Sequence, residues 1–169
     1  GAEKLELVDG DTILGTEFRI TAHDMGGPVT NHKSFLLEEE RTLISGKLIS
    51  EDLSIPLISE DSDLIQYHAS FQKIMKMRLK RFAPAFGHVI EDPKGAVAST
   101  IENFNKVDEE ILKAIKKGAT SPEEVVTANH SKVSDPEQAA EIAKSIEVHL
   151  TKLANDKSVK QLKSGWKIR

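Results

Sequence analysis

Cysteine is absent from these 169 residues, which excludes disulfides, zinc–thiolate sites, iron–sulfur clusters and cysteine nucleophiles together. No apolar run approaches the roughly 20 residues that a bilayer-spanning helix needs. The start, Gly1-Ala2-Glu3-Lys4, carries no apolar signal core and no arginine-rich amphipathic presequence. A dominant charge is also missing: the net value is −4, too small to announce a partner. Aromatic residues make up 5%, with one tryptophan and one tyrosine. What remains is ordinary for a globular domain, with 38% apolar and 30% charged residues, and collagen-like and low-complexity architectures are excluded. The length fits one domain, or one domain with a small appendage.

The first half reads as short strands. Leu5-Glu6-Leu7-Val8 leads through the turn Asp9-Gly10-Asp11 into Thr12-Ile13-Leu14, and Phe18-Arg19-Ile20-Thr21 follows. Gly26-Gly27-Pro28 interrupts. Ser34–Leu37 and Thr42–Ile49 then form a hairpin with the charged tip Glu38-Glu39-Glu40-Arg41. From Asp61 the period changes to three and four residues at Leu64, Tyr67, His68, Phe71, Ile74 and Met75, the pattern of an amphipathic helix capped by Ser62 or Asp63. It runs out into Arg78–Arg81, and Phe82 to Ile90 supplies a last strand and loop. Asp92-Pro93-Lys94-Gly95 marks a boundary. A long helix with Val97, Ile101, Phe104, Ile111, Leu112 and Ile115 ends at Lys117-Gly118, and Ser121-Pro122 and Asp135-Pro136 each open another with proline in its first turn. Ser158–Leu162 and Gly165–Ile168 pair as a hairpin. Helix, short helix, longer helix and hairpin is the order of a winged-helix module.

Charge divides unevenly. Residues 1–95 hold 11 basic against 16 acidic side chains, and residues 96–169 hold 12 against 11. Lys152 to Arg169 alone carries six cations and one acid. Lys152, Lys157, Lys160, Lys163, Lys167 and Arg169, with Trp166 as a stacking platform, are candidate contacts for RNA or a partner. A second basic run, Lys73 to Arg81, interleaves cations with Ile74, Met75, Met77 and Leu79. It reads as a solvated helix face with the methionines as core filler; an acidic partner surface or RNA phosphates are the other readings.

Taken in order, Asp9-Gly10-Asp11, Phe18-Arg19-Ile20, His32 to Ile49, the helix opening at Asp63-Leu64, and Gly87 with Val89-Ile90-Glu91-Asp92-Pro93 resemble the C-terminal half of a metallo-β-lactamase-fold hydrolase. The lactamase-like endoribonuclease branch, with its winged-helix-like C-terminal domain, is the nearest likeness. The resemblance implies an α/β fold: half of an αββα sandwich over residues 1–95, then a small helical winged-helix-like domain over 96–169.

The departures concern the metal. The family's Pro-Gly-His-Thr falls on Gly26-Gly27-Pro28-Val29 with a two-residue insertion nearby, so its metal histidine becomes Pro28. The metal-bridging aspartate of Ser-Gly-Asp becomes Lys47, and the last metal histidine, of Pro-Gly-His-Gly, becomes Phe86. The His-x-His-x-Asp-His motif is absent, its nearest substitute being Thr21-Ala22-His23-Asp24. The family's His-Arg and Arg-Glu pairs appear as Asn103-Phe104 and Val107-Asp108. Zinc requires three or four converging donors, so the expectation is a chain that has lost zinc and metal-hydrolase chemistry. His23, His32, His68, His88, His130 and His149 read as polar or packing histidines, with His32 and His88 near the ancestral site. Lys47 reads as solvated, and Ser34 and Ser45 lack a nucleophile elbow. A half-sandwich leaves a sheet face to be covered by a second copy or by other protein subunits. The expected role is a structural subunit inside a cell, in cytoplasm or mitochondrial matrix, with an RNA-binding module or a residual metal-dependent ribonuclease as the alternative.

Overall fold

A computed structural model describes residues 6–50 and 58–169. Five strands form one sheet in the order β1-β2-β3-β4-β5: β1 (Thr12–Leu14), β2 (Arg19–Asp24), β3 (Lys33–Leu37), β4 (Thr42–Gly46) and β5 (Arg81–Pro84). The first four pair antiparallel, while β5 lies parallel to β4. Parallel neighbours need a crossover, and α1 (Leu64–Lys76) lies within it. The remaining elements are α2 (Pro93–Lys116), α3 (Pro122–Asn129), α4 (Pro136–Asn155) and a two-stranded sheet of β6 (Val159–Leu162) and β7 (Gly165–Ile168). Helix, short helix, longer helix and hairpin therefore follow in the expected order.

Local chemistry sets the boundaries. Asp63 caps α1 by accepting the N–H groups of Ile65 and Gln66, and Ser121 caps α3 at Glu124 N–H. Gly118 has φ +112° at the end of α2, a backbone region that glycine enters without a Cβ penalty. Helix α1 stops at Lys76 rather than running on towards Arg81, because Met77 is already extended at φ −80°, ψ 146°. Leu5 lies outside the described residues, and Glu6 to Val8 forms no strand.

Strand alternation separates two apolar faces. Leu36, Leu43 and Phe82 stand in one register row and pack with Leu64, Tyr67, Phe71 and Ile74 of α1 and Ala96, Val97 and Phe104 of α2. A second core joins Ile111, Ala114 and Ile115 of α2 to Val125, Ile146, Leu150, Val159 and Trp166. Both cores thus draw on α2, the first on its N-terminal half and the second on its C-terminal half. Ser34, Ser45 and His23 share the helix-facing side of the sheet. The opposite side carries Ile13, Ile20 and Leu37 in one row and Ala22, Phe35, Ile44 and Ala83 in the next.

Candidate functional site

Loops at the ends of β2, β4 and β5 converge. After β2, residues 25–32 fold back, with Met25 N–H donating to His32 C=O and His32 N–H to Val29 C=O. The N-terminus of α1 holds this loop: Asp63 N–H donates to Gly27 C=O, Ser62 hydroxyl to Pro28 C=O and Ser70 hydroxyl to Gly26 C=O. At Gly27, φ is +147° and a Cβ would stand 2.6 Å from the Tyr67 ring, so no larger residue fits without moving that ring. The loop after β5 joins that after β4 through Ala85 N–H and Gly46 C=O, 2.9 Å apart.

His32 bridges this assembly. Its Nδ1 lies 3.1 Å from Met25 C=O and its Nε2 lies 3.1 Å from Lys47 N–H. A backbone N–H can only donate, so Nε2 accepts and Nδ1 carries the proton. Burial, with the Lys47 charge adding to it, keeps the imidazole pKa below its ordinary 6.5, against a smaller opposing pull from Met25 C=O. Both ring nitrogens are thereby committed to the backbone.

The three positions at which the resemblance puts metal ligands sit in these loops and offer none. Pro28 is buried and has no donor side-chain atom. Lys47 is exposed and presents an ammonium, which only donates. Phe86 is 71% exposed and wholly apolar. Among the described residues no group of three or more His, Cys, Asp and Glu converges as a metal site. The donor set here does not fit zinc, which binds through deprotonated nitrogen, oxygen or sulfur ligands, and no chemistry is routed through it. His23 lies away from these loops under α1, with Nδ1 3.9 Å from Asp9, whose carboxylate receives Lys73 at 2.5 Å.

The tail residues divide. Lys157, Lys160, Lys163, Lys167 and Arg169 are exposed on and around the terminal hairpin. Trp166, expected to be a stacking platform, is instead 6% exposed within the second core, with its indole N–H bonded to Glu147; neither ring face is open to a base. Lys152 also turns inward. It bonds Asp108 at 2.8 Å and Asp156 at 2.9 Å, which raises its pKa despite burial.

That lysine belongs to a cluster the sequence reading missed. Asp108 on α2 accepts from His149 Nδ1 at 2.7 Å and from Lys152, both on α4. Burial pushes the Asp108 carboxyl up, but these two bonds outweigh it and hold the group below its usual 3.8. His149 is fully buried, edge-on to Phe104 at 6.1 Å. One signal for the cluster was available: Asp108 and His149 both fall on the apolar stripes of their helices.

The arrangement is similar to solved structures. A metallo-β-lactamase family protein from Thermus thermophilus superposes with a TM-score of 0.80 at 16% identity, covering 99% of this chain and 55% of that one. A β-lactamase domain protein from Burkholderia ambifaria gives 0.80 at 17% identity, covering 100% and 53%. This is a metallo-β-lactamase fold. In sequence, the metallo-β-lactamase-like chain is 31% identical over 119 residues to the β-lactamase-like protein 2 homolog of Caenorhabditis elegans, a match covering 69% of this chain and 38% of that protein. It therefore spans about half the length of these solved structures and less of the nematode protein. No family model matches it. No helix among the described residues is long and apolar enough to cross a membrane.

Proposed function

We propose that this metallo-β-lactamase-like chain is a non-catalytic interaction subunit whose sheet docks against another protein layer. One observation carries the reading: the sheet face opposite the helices bears Ile13, Ile20, Phe35, Leu37, Ile44 and Ala83 across its five strands, with Thr42 and Arg81 ending the row of Ile13, Ile20 and Leu37. Ile13 and Ile44 are 46% and 43% exposed, whereas the mirror row Leu36–Leu43–Phe82 is almost fully buried. An open sheet is stable in water with one solvated face when that face is polar, and contiguous apolar area normally marks an interface. Pro28, Lys47 and Phe86 in place of metal ligands support a non-catalytic role for the same half. A second copy or another subunit supplies the cover.

The test is the state of association. Light scattering on the purified chain, alone and after tagged recovery from its native cell with and without ribonuclease, reports what covers the face. Self-association or a ribonuclease-resistant complex that Ile44→Asp with Phe35→Asp abolishes is the expected result. A monodisperse monomer that binds no apolar dye and recovers no protein overturns it. Partners that vanish with ribonuclease favour the alternative, an RNA-binding role for the five exposed tail cations.

A further inference from the structure

On another surface, independent of the docking sheet face, five cations line one shallow groove. Arg41 from the β3–β4 turn, Lys76 at the end of α1, Arg78 and Lys80 after it, and Lys94 in the first turn of α2 surround about 680 Å³, with Met75, Met77 and Leu79 as the apolar lining and no carboxylate among the described residues. The sequence explains the layout. Beyond Lys76 the backbone is extended, so Met77-Arg78-Leu79-Lys80 alternates: Met77 and Leu79 pack against the first core, while Arg78 and Lys80 point to water. Met75, expected to be core filler, is 44% exposed.

These charges do little to hold the fold together. Among the described residues Lys76, Arg78, Lys80 and Lys94 form no ion pair, and Arg41 pairs only with Glu38 at 2.9 Å. Lys94 sits where a helix dipole disfavours a cation. Arg41 has φ +55°, a conformation that is strained for a non-glycine residue and persists only when its surroundings enforce it. Two bonds do so: Arg41 Nε donates to Arg78 C=O at 2.8 Å, and Lys80 N–H donates to Arg41 C=O at 2.9 Å. The groove is thus preformed, and four of its five cations have no ion-pair partner among the described residues.

We infer that this groove binds an acidic peptide segment bearing interspersed apolar side chains, contributed by a partner protein. The cations match its carboxylates, and Met75, Met77 and Leu79 offer polarisable, adaptable contact to its apolar residues. Among the described residues no aromatic side chain lines the groove, so a single-stranded nucleic acid finds phosphate neutralisation but no stacking platform there.

The probe is a fluorescein-labelled 12-residue peptide of paired glutamates separated by leucines, titrated by anisotropy against the intact chain, with 12-residue polyglutamate and a 12-nucleotide oligouridylate as comparators. The leucine-bearing peptide is expected to bind more tightly than either. Lys76→Glu/Arg78→Glu/Lys80→Glu weakens it at least tenfold, with unchanged far-ultraviolet circular dichroism because all three side chains are exposed. Met75→Ser weakens it about three- to fivefold, through lost apolar contact, without affecting polyglutamate. Lys160→Glu/Lys163→Glu on the hairpin leaves it unchanged. Equal affinity for wild type and the triple variant overturns the site. Oligouridylate binding in the groove more tightly than the peptide overturns the ligand class.

Discussion

Removing the Asp108 carboxylate should be among the most damaging single polar changes in the chain. The group is 8% exposed and satisfies His149, itself fully buried, on one oxygen and Lys152 on the other. Deleting one partner of a buried charge pair costs about 3–5 kcal/mol, because the survivor is stranded without solvent. Here Lys152 keeps Asp156 at 2.9 Å, so the lower end, about 3 kcal/mol, applies to Asp108→Ala. For a chain of this size that corresponds to a fall in Tm of roughly 6–12 °C. Trp166 is the only tryptophan and lies in the adjoining core, so urea unfolding followed by its fluorescence reads the change directly. A second variant isolates the cause. Asp108→Leu/His149→Leu/Lys152→Met removes the three buried polar partners together, leaves the half-exposed Asp156 to solvent and should recover most of the loss, since apolar replacement of a buried cluster is often neutral. Asp108→Ala costing under about 1 kcal/mol, or the triple variant proving no better than the single one, would refute the desolvation argument.

Acid should weaken the fold in two stages. His23, His32 and His68 all have pKa values held below 6.5, chiefly by burial. Their unfolded forms therefore bind protons first, and stability complete above pH 6.5 declines as pH falls from there towards the folded values. Asp108 is depressed below 3.8, so its contribution persists above that pH and is lost only as pH falls through the folded value; urea midpoints followed from neutral pH into strong acid would show both steps. Asp63→Ala strips the cap from two N–H groups at the head of α1 and should cost about 1 kcal/mol in the same assay. Leu43→Ala, at a fully buried central-strand position, should cost about 2–5 kcal/mol, measured by far-ultraviolet circular dichroism during urea unfolding.

Much of this architecture was legible because its signals are local. Proline after Ser121 and Asp135, the three-and-four spacing from Leu64 to Ile74, and the Glu38–Arg41 tip each act within a few residues. Boundaries set by tertiary contact were not. Nothing in Lys76-Met77-Arg78 stops a helix by propensity; the halt at Lys76 accompanies pairing of the following segment, through Lys80, with Arg41. The positions of Pro28, Lys47 and Phe86 followed from aligned motifs, whereas the double engagement of His32 depends on the meeting of two loops that are distant in sequence. Trp166 was misread for a similar reason. A tryptophan among lysines in a short hairpin resembles an open platform until Gly165 brings β7 against Thr120, whose carbonyl accepts Trp166 N–H at 2.8 Å.

A single helix, α2, gives its first half to one core and its second half to the other, which has a mechanical consequence. At 24 residues it is a rod of about 36 Å, and twisting the hairpin lobe loads the sheet lobe through an unbroken run of main-chain bonds. The two cores share this one continuous helix, so a molecule seated on either is expected to stiffen the other. Amide exchange along α2 should accordingly slow over its whole length when either end is engaged.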